Sequence, residues 1–146
     1  MIKPILITFV LYSISNLLLA QKAITNDDVL SMRNAKFSEK DIISTMATSK
    51  CDFDLTTNGL IALKAQKLSE KIIKSMFIVS APKNDFITNE EIIKLSSAKL
   101  SDDIINIKIR STPHKFDISP TALIKLKNAK VSKRIMNTMT ITPESD

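Results

Sequence analysis

The strongest constraint on this chain is that it repeats itself. Four segments lie over one another: ITNDDVLSMRNAKFSEKDIISTM (24–46), LTTNGLIALKAQKLSEKIIKSMF (55–77), ITNEEIIKLSSAKLSDDIINIKI (87–109) and ISPTALIKLKNAKVSKRIMNTMT (118–140), at offsets of 31, 32 and 31 residues. A unit this short cannot bury its own apolar face, so copies in tandem must fold against one another as an array. The copies also pair at a longer period of 63 residues, ITNDDV (24–29) matching ITNEEI (87–92) and FDLTTNGLIALK (53–64) matching FDISPTALIKLK (116–127). The array therefore reads as a duplicated two-unit block.

Each unit carries two helix starts. Thr25, Thr56, Thr88 and Ser119 stand at N-cap positions, and Ser38, Ser69, Ser101 and Ser132 repeat the signal half a unit later. Their hydroxyls can accept the unpartnered N–H groups of a first turn. An apolar residue precedes every cap and another follows it by five positions, as in Ile24 with Val29 or Phe37 with Ile42, which is the pattern of a hydrophobic staple. Asp28 and Glu91 fall three residues after their caps, and only the Glu fits the usual capping box. Pro120 follows Ser119, at the one helical position where a missing N–H does no harm. Val29, Met32 and Ala35 then share one face of the first helix, and Ile42 and Met46 one face of the second. No segment alternates with the period of a strand. The expected fold is all-α, four tandem helix-turn-helix units and eight short helices.

Helices of about ten residues are marginal alone in water, so their stability has to come from hairpin packed on hairpin. Residues 21–80 hold units one and two and residues 87–146 units three and four. A linker at 81–86, within the break IVSAPKNDF (78–86), separates them. A single Gly in 146 residues argues against Gly-rich phosphate loops and a dinucleotide-binding fingerprint, and a single Cys excludes an internal disulfide framework.

The first twenty residues, MIKPILITFVLYSISNLLLA, stand outside the repeat. Lys3, an apolar run and then Ala20 before Gln21 give the three-part layout of a secretory signal peptide, with cleavage between Ala20 and Gln21. The expectation is an exported chain, periplasmic or secreted, anchored to a membrane only if this segment stays attached. Its removal leaves 20 Lys and Arg against 15 Asp and Glu. That is a mildly basic surface with interleaved acids, not a nucleic-acid footprint.

The pattern I/L-T-x-x-x-V/I-I-x-L-x-x-A-x-L-S-x-x-I-I followed by F-D-L-S/T-x-x-A-L-I-x-L-K-x-A-x-V-S resembles a two-helix repeat of exported bacterial envelope proteins without assigned function. FDISPTALIKLKNAKVS (116–132) is the best match, and the likeness covers nearly all of residues 24–140. The resemblance implies the helical fold and export, and it brings no catalytic residue with it. Relatives usually place Gly in the turn between the two helices, where this chain has Lys36, Lys67, Lys99 and Lys130.

Those four lysines are the most distinctive local feature. The ordinary reading is a basic residue near a helix C-terminus, favourable to the macrodipole. The sharper one is a ladder of like charges that stacking aligns into a basic ridge for anionic polymers. Cys51 and His114 occupy equivalent inter-unit loops, but two soft ligands fall short of a zinc site, and a Cys–His nucleophile would need an orienting third group. The acidic pairs Asp27/Asp28, Glu90/Glu91 and Asp102/Asp103 read as first-turn charges suited to the helix dipole. Phe53 and Phe116 read as plugs between units, and the other Phe residues after the leader as core. No cofactor or metal is expected. The expected function is non-catalytic: a protein-binding or scaffolding module of the bacterial envelope or extracellular space, with an anionic polymer as the alternative partner and nucleic acid disfavoured.

Overall fold

The computed structural model describes residues 22–80 and 86–142. The cleavage point at Ala20 and Gln21, most of the linker and the last four residues lie outside the described residues. Among the described residues eight helices follow one another: α1 (Asn26–Asn34), α2 (Glu39–Ala47), α3 (Thr57–Ala65), α4 (Glu70–Val79), α5 (Asn89–Ser97), α6 (Asp102–Ser111), α7 (Pro120–Asn128) and α8 (Lys133–Ile141). The fold is all-α, and each start falls on the cap expected for it.

Seven of the eight caps accept a backbone N–H from the third helical residue, as Ser38 does from Asp41 and Ser132 from Ile135. The N–H of the cap residue itself is satisfied in two ways, and the choice alternates along the chain. In units one and three a carboxylate three residues on turns back to it: Thr25 N donates to Asp28 Oδ2 at 2.9 Å and Thr88 N to Glu91 Oε2 at 3.0 Å. Asp28 thus completes a capping box that the usual Glu or Gln preference did not foresee. Units two and four have Gly59 and Ala122 at that position, and the acceptor comes from upstream instead. Thr56 N donates to Asp54 Oδ1 at 3.0 Å and Ser119 N to Asp117 Oδ1 at 2.9 Å. At Gly59 the chain passes so close to the Asp54 carbonyl oxygen that a Cβ would collide with it, whereas Ala122 fills the equivalent place in unit four.

The same two aspartates are clamped from the preceding unit. Asn26 donates through Nδ2 to Asp54 O (2.9 Å) and accepts from Asp54 N (3.0 Å). Asn89 does the same to Asp117, at 2.7 and 3.0 Å. Beside each clamp lies a one-rung parallel bridge, Ile24 with Cys51 and Ile87 with His114. Each 63-residue block therefore ties its two hairpins with its own set of backbone bonds.

Packing runs in two layers. In one, α2, α4, α6 and α8 stack in order; in the other α3, α5 and α7 do, with α1 joined to the end of α3 where Arg33 Nη1 donates to Gln66 O at 2.6 Å. The break between the halves does not divide the array, because α4 packs on α6 and α3 on α5 across it. One apolar cluster runs from Val29 to Met139. Phe53 and Phe116 are buried in it as expected, whereas Phe37 and Phe86 are about half exposed and do not belong to the core. Ala35 is the exposed C-cap of α1 and takes no part in the buried face that holds Val29.

Candidate binding surface along the turn edge

Within every unit four residues separate the end of the first helix from the start of the second, and one apolar side chain serves both. In unit three, Lys99 N donates to Ser96 O (3.0 Å) and Leu100 N to Leu95 O (3.2 Å). Those are the two bonds of a Schellman motif, with Ala98 as C-cap and Lys99 as the left-handed residue after it. Leu100 seals against the helix it leaves, and as the residue before the cap Ser101 it is also the staple of the helix it enters. Units one, two and four repeat the arrangement, with Phe37, Leu68 and Val131 in the place of Leu100.

A left-handed backbone is therefore required at the lysine. Lys36, Lys67, Lys99 and Lys130 have φ of 66°, 57°, 61° and 62°, and among the described residues no other non-glycine residue has positive φ. A side chain there costs about 1 kcal/mol relative to Gly. All four lysines are exposed, and none forms an ion pair among the described residues. Arg33 reaches Gln66, Lys74 pairs with Asp103 and Ser132 donates to Asp102, so the turn ends of successive units, with the lysines they carry, lie along one edge of the array.

Their surroundings reinforce the sign. The segments 33–41, 64–72, 96–104 and 127–135, which make up this edge, hold eleven Lys and Arg against five Asp and Glu. The excess equals the formal net charge of the whole chain, +6. The opposite edge, made by the starts of the first helices and the inter-unit loops, carries most of the remaining acids. Asp27, Asp28, Asp52, Asp54, Glu90, Glu91 and Asp117 lie there. The array is thus polarised across its width.

Sequence reading missed a second feature beside this edge. Asp103 Oδ2 accepts from Lys74 Nζ at 2.8 Å and its Oδ1 pairs with Arg134 Nη1 at 2.8 Å, an ionic chain across units two, three and four. Those two partners, Lys74 first, hold the Asp103 carboxyl below the usual carboxylate range. The signal was available, because Asp103 and Arg134 occupy the same column of the repeat alignment and Lys74 lies three columns on. An open cleft of about 380 Å³ adjoins the chain, lined also by Asn106, Arg110 and Asn137. At the opposite edge Lys125 Nζ donates to Glu90 Oε1 at 3.0 Å, which lowers the Glu90 pKa.

Cys51 and His114 hold the equivalent places expected of them, each at its own block's bridge. The Cys51 thiol points to Met46 O (3.4 Å), and burial raises its pKa. His114 is buried, with Nδ1 3.1 Å from Thr112 O and its ring stacked on Phe116 at 4.8 Å. The two residues belong to separate bridges, and among the described residues no cluster of three or more His, Cys, Asp or Glu could hold a metal ion. No helix among the described residues is long and apolar enough to cross a membrane. Compared with known proteins, the chain matches no family model, no curated protein and no solved structure.

Proposed function

We propose that this chain is an exported, non-catalytic helical-repeat module that binds or scaffolds a protein partner in the bacterial envelope or outside the cell. The observation that carries this reading is the uninterrupted stack of four hairpins, an architecture that yields a long surface to which every unit contributes the same few side chains. The polarised charge suggests what the partner presents: an acidic face, met by the lysine edge. Export rests on the leader-like first twenty residues and on the likeness to exported two-helix repeats. The turn lysines favour a second reading as well, an anionic polymer at the cell surface, because four exposed lysines, one per unit and without an ion pair among the described residues, suit a repeating polyanion.

Replacing Lys36, Lys67, Lys99 and Lys130 together by Gly removes the charge and keeps the left-handed turn. Capture from an envelope extract with this variant and with the parent chain, run beside retention on a heparin column, separates the two readings. A partner held by the parent and lost by the variant, with weak heparin retention in both, supports the protein-binding reading. Strong retention of the parent that persists at raised salt and falls in the variant supports the polymer. Equal capture and equal retention by both chains would remove the lysine edge as the binding surface.

A further inference from the structure

Both ends of the stack expose what the interior units bury. Phe37 of the first unit is 54% exposed, while Leu68, Leu100 and Val131, at the same place in the turn, are 4–7% exposed. In the fourth unit Ile118 is 50% exposed, where Leu55 and Ile87 are 9% and 0%. Ile124 in α7 is 60% exposed, where Ile61 and Ile93 are partly buried against the core. The ends also differ in charge: residues 24–54 carry six acids and four bases, and residues 118–146 five bases and two acids.

The 63-residue duplication relates the two ends. Unit four corresponds to unit two and unit one to unit three, so unit four against the first unit of another copy repeats the junction of units two and three. That junction is already a packed interface, α4 on α6 and α3 on α5. Leu126 and Met139 stand where Leu63 and Met76 do, and Met32 and Phe37 where Leu95 and Leu100 do. The equivalence is broken where Lys40 and Asn137 replace the ion-paired Asp103 and Lys74 of the internal junction, and again in the apolar contact. Exposed Asp41 occupies the place of Ile72, Ile104 and Ile135, which are 2%, 1% and 0% exposed. At the head of the array it opposes apolar stacking and adds a charge opposite in sign to the net-basic fourth unit.

From this we infer that copies of the chain associate head to tail, the fourth unit of one against the first unit of the next, continuing the stack. The contact joins two different surfaces, so it builds open chains and not closed pairs. It is weaker than the internal junction, because no linker holds the partners at high effective concentration, because Asp41 replaces an isoleucine, and because Lys40 and Asn137 cannot repeat the Asp103–Lys74 ion pair. Opposite charges at the two ends make it sensitive to salt.

Sedimentation velocity on the full chain and on residues 21–146, over a range of concentrations, tests this. Expected is an average mass that rises continuously with concentration in both chains and falls in high salt. Phe37→Glu and Ile124→Lys alter exposed positions at opposite ends; each alone should give monomers with unchanged circular dichroism, and an equimolar mixture of the two should give one-to-one dimers. Asp41→Ile, which restores the residue of the interior units, should tighten association about tenfold or more. Four results would overturn the inference: monomers at millimolar concentration in both chains, a dimer that saturates and survives Ile124→Lys, no tightening with Asp41→Ile, or association confined to one of the two chains. Association of residues 21–146 alone would assign the head to the leader; association of the full chain alone would make the leader its driver.

Discussion

At the scale of single residues, the four turn lysines show local structure overriding side-chain preference. The Schellman bonds fix a left-handed residue after each C-cap, and this chain fills the position with a charge at an energetic cost. Lys99→Gly should therefore raise unfolding stability by about 1 kcal/mol, read as a shift of the urea midpoint, while Lys99→Ala should give none of that gain. The carboxylates provide a second check. Asp28 is lowered first by the Thr25 N–H and then by the Thr25 hydroxyl, Asp117 by the Ser119 N–H, Asp103 by Lys74, and Glu90 by Lys125. A carboxyl depressed in the folded state stabilises it fully above the unfolded pKa of about 4, and that contribution is lost as pH falls through the lower folded value. The urea midpoint should thus hold steady from neutrality to about pH 5 and then fall, with a smaller fall in Asp28→Asn. These features were legible from sequence because caps, staples and turns involve residues within five positions of each other. The Asp28 box was underestimated because the capping preference is stated for Glu and Gln, and here the shorter Asp side chain also reaches.

Between elements, the asparagine clamps carry what a helix-by-helix reading cannot see. Asn89 is 7% exposed and holds both backbone groups of Asp117, 28 residues away. Asn89→Ala removes two part-buried hydrogen bonds to the Asp117 backbone, and should cost about 1–3 kcal/mol. The more exposed Asn26→Ala should cost less, since water can replace the lost bonds at Asp54. Comparing the two urea midpoints checks the order. The Asp103 ion pairs behave differently. Its partners Lys74 and Arg134 are 36% and 63% exposed, so Asp103→Ala should cost at most about 1 kcal/mol, and the difference should shrink in high salt. Neither contact was legible as a contact, although the residues recur in fixed columns: alignment gives the column, and only stacking says which column of one unit meets which of the next. The exposure of Phe37 was misread for the same reason. Its staple pattern matches that of Leu68 and Leu100, and only its place in the first unit leaves it uncovered.

For the whole molecule, one apolar cluster running from Val29 to Met139 makes every hairpin share its core with its neighbours. Repeat number, helix number and their order could be read from the chain, whereas the continuity of the two halves could not, because the break at 78–86 interrupts the pattern that would have shown it. The packing of α4 on α6 and α3 on α5 makes unit two the floor on which unit three folds. The most direct test is urea unfolding, followed by helical circular dichroism, of the full chain beside a version that stops after residue 80. Expected is one cooperative transition for the full chain, with a higher midpoint and a steeper denaturant dependence than the two-unit version, because unfolding exposes the interface between the halves as well as the two interiors. A two-unit chain with the same midpoint as the whole, or a full chain that melts in two separate steps, would contradict a single continuous stack.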